Sequence, residues 1–137
     1  MHDDDPFVVQ AMLHYMYKSN YDDDSGNNPG RCTPLEFNVQ VYALADKYQV
    51  EGLKGLAVKK FEKLCKDSWT PQDFTSALRV MYGGLFPPHD TTMRKLAIDQ
   101  ATSHMGELLK TAEFTKMLEE VAPLGSDITK KYYDDHN

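Results

Sequence analysis

Apolar positions recur every three or four residues through most of this chain, and the polar positions between them divide it into helices. The clearest case is 41–65, VYALADKYQVEGLKGLAVKKFEKLC. Val41, Leu44, Ala45 and Tyr48 stand at i, i+3, i+4 and i+7, and Leu53, Leu56, Ala57, Phe61 and Leu64 keep the same period. Each set makes one apolar face of a 3.6-residue helix. Between them, 49–52 holds one apolar residue, Val50, and a helix-weakening glycine, Gly52. So short a corner folds the two apolar faces onto one shared core. Lys54, Lys59, Lys60 and Lys63 read as the solvated side of the second helix.

The same period places a first helix over 6–19, PFVVQAMLHYMYKS, with Asp5 as its cap and Pro6 in its first turn. Its only polar residues before the last turn are Gln10 and His14, in line with Lys18. So thin a polar stripe predicts burial on most sides. The helix starts almost at the first residue, so we expect either that later helices surround it or that part of the domain is missing. Residues 20–34, NYDDDSGNNPGRCTP, have the composition of a flexible acidic loop, with Asn20-Tyr21 able to form a short strand if a sheet partner exists. Thr70-Pro71-Gln72-Asp73 is a helix start, continued by Phe74, Ala77, Leu78 and Met81 and stopped by Gly83-Gly84. A longer helix follows over 91–109, with Met93, Leu96, Ala97, Ala101, Met105 and Leu108 on one stripe beside Gln100 and His104. Thr111 caps another, holding Phe114, Met117, Leu118 and Val121, which Pro123-Leu124-Gly125 breaks before a last piece begins after Ser126. The pattern predicts an all-α bundle of antiparallel helix pairs in seven segments, with no internal repeat.

Composition narrows the function. The chain has 137 residues, enough for a core, and a net charge of −6. That acidity argues against nucleic acid, whose phosphates call for clustered Lys and Arg. Lys59, Lys60 and Lys63 are read as a solvated face. Cys32 and Cys65 form no CxxC pair, so neither a disulfide framework nor a zinc site is implied, and a reducing intracellular compartment, cytoplasm or nucleus, is expected. No apolar run approaches the ~20 residues of a membrane span, and the acidic start MHDDDPF is unlike a leader.

Catalytic patterns fare poorly. No two of His2, His14, His89, His104 and His136 stand at i+3 or i+4, and no HExxH, GxSxG, GxxxxGK[ST] or GxGxxG occurs. His104 reads as a core or boundary histidine and His14 as an exposed one. Counting a calcium loop from Asp22 puts Gly26 at position 5 and Thr33 at position 12, so the ligand pattern fails. Cys65 falls on the buried face, where its thiol is less acidic, not activated. Neither an enzyme nor a cofactor is expected.

The order of these segments resembles a known family. The helix carrying Val8, Met12, Leu13, Tyr15 and Tyr17, followed by Leu44-Ala45-Asp46-Lys47-Tyr48, Leu53-Lys54 and Cys65, is similar to the C-terminal half of a BTB/POZ domain, and VYALADKY is similar to fungal members. Leu96, Ala97, His104, Leu108, Leu109, Thr111 and Phe114 resemble the BACK-like, or 3-box, helices that follow BTB in MATH-BTB adaptors. The resemblance implies a C-terminal BTB part over 1–67 and a BACK-like extension over 68–137. The family's Tyr-Thr-Gly is here Tyr17-Lys18-Ser19, and its first half, with the dimer-building elements and the cullin-holding motif, would lie before residue 1. The same resemblance implies a protein-interaction module that oligomerises in its full-length form. Its partner would be a cullin scaffold, with this chain a substrate adaptor of a cullin-RING ubiquitin ligase. The alternative is an assembly scaffold, for example in transcription or chromatin complexes. By analogy the partner-binding residues are Tyr17, Tyr21, Asp46, Lys47, Tyr48, Gln49 and Val50. For Tyr17 and Tyr48, plain core packing is the competing expectation.

Overall fold

The computed structural model describes residues 4–22, 33–84, 86–88 and 90–135. Among them the chain forms eight α-helices and no strand. They are α1 (Pro6–Lys18), α2 (Pro34–Lys47), α3 (Glu51–Asp67), α4 (Pro71–Met81), α5 (Thr92–Ser103), α6 (Met105–Leu108), α7 (Ala112–Glu120) and α8 (Ala122–Asp135).

Caps set most of these boundaries. At α1 the Asp5 carboxylate accepts the Phe7 N–H at 2.9 Å, and Pro6 follows where a missing N–H costs nothing. Helices α2 and α4 share one start, Thr-Pro-x-acid-Phe. The Thr33 hydroxyl accepts the Glu36 N–H at 3.2 Å, and the Thr70 hydroxyl accepts the Asp73 N–H at 3.2 Å. Phe37 and Phe74 are both buried. The buried polar residue after each turns back on its own helix: Asn38 Nδ2 donates to Pro34 O at 3.0 Å, and Thr75 Oγ1 to Pro71 O at 2.7 Å. This short repeat escapes a search for longer periods.

The corner between α2 and α3 is a Schellman turn. The Val50 N–H donates to Ala45 O at 2.8 Å and the Gln49 N–H to Asp46 O at 3.2 Å. Gln49 holds φ 59, the left-handed conformation usually given to glycine. This turn lays α2 along α3, and α2 also packs on α4 and α1. Helix α5 packs on α3 and α7 on α4, and α8 contacts both α5 and α7. Phe61, Phe74, Met93, Leu108 and Phe114 are fully buried where these layers meet.

The structure departs from the sequence expectation at four places. The 91–109 helix divides at His104, whose backbone (φ −112, ψ 22) leaves helical geometry while its ring stacks on Trp69 at 3.9 Å, so there are eight segments rather than seven. Thr33 and Pro34 belong to the start of α2 and not to a 20–34 loop, since together they satisfy its first turn; 23–32, with Cys32, lies outside the described residues, as do His2, His89 and His136. Pro123-Leu124-Gly125 opens α8 instead of ending a helix, because proline fits the first turn. Tyr21 is in no strand; it is packed into the core.

Candidate interaction surface

Helix α1 is held by one side only. Val8, Ala11 and Met12 are buried against the bundle, while Phe7 is 38% exposed, Leu13 44%, Met16 58% and Tyr17 88%. The thin polar stripe therefore does not bury this helix on most sides. Gln10 and His14 lie exposed among those apolar residues. The helix ends on Ser19, at φ 57, whose N–H donates to Tyr15 O at 2.7 Å.

The α2–α3 corner fastens the near end of α1. Lys47 Nζ lies 2.9 Å from one oxygen of Asp4, and the Tyr48 hydroxyl donates to the other at 2.7 Å. These hydrogen bonds, Lys47 first, hold the Asp4 carboxyl below its ordinary value, and the same contact raises Lys47 and Tyr48 above theirs. A second pair crosses the corner itself, Lys54 Nζ to Asp46 at 2.9 Å, and it raises Lys54. Tyr15 of α1 reaches Gly52 of α3: a Cβ there would overlap the Tyr15 hydroxyl.

The residues expected to bind a partner thus separate into three environments. Asp46, Lys47, Tyr48, Gln49 and Val50 form one corner, with Gln49 exposed, Val50 half-buried and the charged groups already paired. Tyr17 is on open surface, twelve residues along the chain from the Asp5 cap, roughly 18 Å at 1.5 Å per residue. Tyr21 is 4% exposed; its hydroxyl donates to Asn38 Oδ1, and the Lys60 ammonium sits 4.9 Å from its ring centre.

A groove of about 920 Å³ opens between the end of α4, α5 and α8. Most of its charged groups already serve the fold. The Arg94 guanidinium lies between the rings of Tyr82 and Phe86, at 5.3 and 5.1 Å, and reaches two carbonyls. Its Nε and Nη2 donate to Met81 O at 3.2 and 2.8 Å, and Nη1 to Pro88 O at 2.9 Å. Asp90 caps α5 through the Met93 N–H at 3.1 Å and accepts the Tyr42 hydroxyl. Asp127 accepts the Tyr82 hydroxyl at 2.5 Å, and Lys131 lies 3.1 Å from Asp99. Burial, then the facing aspartate, raises both tyrosines well above their usual range.

Among the described residues the one cysteine is Cys65, and it is free and buried. Burial pushes the Cys65 thiol up to about 12, away from the thiolate. Among the described residues no three His, Cys, Asp or Glu side chains converge as a metal site, and no helix is long and apolar enough to cross a membrane. Sequence reasoning missed Asp4, Asp90 and Arg94, which act through backbone and single polar atoms and leave no periodic signal. The exposed side of α1 was legible as an excess of apolar residues, but its extent was not. Comparison with protein-family models, curated proteins and solved structures finds no match for this chain.

Proposed function

We propose that this chain is a non-catalytic, intracellular protein-interaction module of BTB/POZ type with a BACK-like extension, acting as a substrate adaptor that contacts a cullin scaffold. The observation that carries the reading is the exposed apolar face of α1, headed by Tyr17 at 88% exposure. Exposed patches of this kind mark partner sites. Ser19 supports the family reading: the family has glycine at this position, and Ser19 holds the left-handed φ of 57 that glycine enters without strain. The test is a pull-down of a cullin with the full-length protein, since the family's cullin-holding motif would lie before residue 1. Binding is expected, with Tyr17→Ala weakening it at least about tenfold, since a central aromatic anchor is worth about 2 kcal/mol or more. A pull-down with the full-length protein that recovers no cullin overturns the adaptor reading.

A further inference from the structure

The sulfur atoms of the described residues are distributed unevenly. Met12, Met81, Met93 and Met117 are fully buried, Met105 is partly buried against the core, and Cys65 is buried. Met16, at 58% exposure, is the one exposed thioether among the described residues. Met12 gives the sharpest contrast: it lies one turn earlier on the same helix, has the same chemistry and is wholly enclosed. Methionine oxidation follows exposure. The neighbours of Met16 make its polarity matter, because Leu13, one turn before it, and Tyr17, next to it, are exposed with it on α1.

We propose that Met16 is an oxidant-responsive modification site: a peroxide converts its thioether to the sulfoxide, which removes the apolar character of the face shared with Leu13 and Tyr17. The sulfur lone pair attacks one peroxide oxygen. An S–O bond forms and the O–O bond breaks. Sulfur gives up two electrons, and the departing hydroxide takes the proton of the transferred oxygen and leaves as water. The reverse step belongs to a thiol-dependent reductase, which draws two electrons from a thiol pair, forms a disulfide and releases the oxygen as water. The two sulfoxide epimers need one reductase each.

The position keeps the change on the surface. Met16 lies off the side on which Val8, Ala11 and Met12 are buried, so its sulfoxide alters the face without entering the packing. A sulfoxide at Met12 would instead place a polar oxygen among buried apolar groups, at a cost to the fold. Control of partner binding by Met16 rests on the reading of α1 as the contact surface. The modification itself needs no partner and is tested on this chain alone.

The test treats the folded chain with dilute hydrogen peroxide and locates each sulfoxide by mass spectrometry with peptide fragmentation. Met16 should oxidise at least about tenfold faster than Met12, Met81, Met93 or Met117, because those wait for the fold to open. The oxidised chain should keep its melting temperature and elute earlier from a phenyl column. Both epimer-specific methionine sulfoxide reductases together should restore the original retention. Met16→Leu should lose the shift, which assigns it to Met16 rather than to Met1 or Cys32. In the full-length protein, peroxide should lower the cullin recovered by the parent and leave Met16→Leu unaffected. A Met16 that oxidises no faster than Met12 overturns the proposal. So does a retention that does not shift, a shift that Met16→Leu retains, or one that the reductases fail to reverse. Equal cullin recovery by the full-length parent before and after oxidation overturns control of the partner, whereas no recovery before oxidation counts against the adaptor reading alone.

Discussion

Arg94 shows how much a single side chain can hold. Its planar fork satisfies a carbonyl left over at the end of α4 and another in the following turn, while Tyr82 and Phe86 cover its faces. Lysine carries the same charge but lacks the planar fork and the flat face that stacks on rings. Arg94→Lys should lower unfolding free energy by about 1–2 kcal/mol, read from urea melts. This role was invisible in the sequence, because leftover carbonyls carry no side-chain signature. Cys65 is the opposite case. Its place in a 3.6-residue stripe announced burial, and the raised thiol follows from that burial.

At the scale of elements, legibility followed the chemistry of the boundaries. The 41–65 pair could be read because both apolar faces are long and regular. Thr70-Pro71 could be read because it stands alone between helices. Thr33-Pro34 does the same work but follows a run of Asp, Asn and Gly, whose composition speaks for a loop. Proline and glycine misled at the start of α8, since proline both opens and interrupts helices and only the surrounding packing decides which. If Thr33 and Thr70 cap alike, Thr33→Ala and Thr70→Ala should each cost about 1 kcal/mol. Thermal or urea unfolding of the two single variants compares them directly. Helix α1 differs from the others in being anchored by one face and by Asp4, so its amides should exchange with solvent before those of α2 and α4 do. Hydrogen exchange with mass spectrometry reads that order.

For the molecule as a whole, the shifted groups give stability an uneven dependence on pH. Asp4 is lowered, so its contribution is complete above the ordinary 3.8 and is lost as pH falls through the folded value. The other shifts lie on the alkaline side. Cys65 is raised from 9.0 to about 12, so stability is present below 9.0 and drains away as pH rises through that interval. Tyr42, Tyr82 and Lys47 are raised as well, and their contributions fail above 10.0 to 10.5. The melting temperature should stay level through neutral pH, dip modestly below about pH 4 and fall more steeply above about pH 9. A circular-dichroism titration of melting temperature checks both slopes. A steeper acid limb would assign the fold to carboxylates other than Asp4. The left-handed corner has a consequence in time. The largest set of contacts that α2 makes is with α3, the next helix in the chain, a local pairing of the kind that forms quickly. The α2–α3 hairpin must turn at Gln49 before α1 and α4 have a surface to meet, and a non-glycine residue enters that conformation at a cost of about 1 kcal/mol. Gln49→Gly should then stabilise the fold by about 0.5–1 kcal/mol. Most of that gain should appear as folding accelerated about threefold, with the unfolding arm of the stopped-flow chevron nearly unmoved. A change confined to unfolding would instead place the closing of the corner after the barrier, making it the last turn of the hairpin to set.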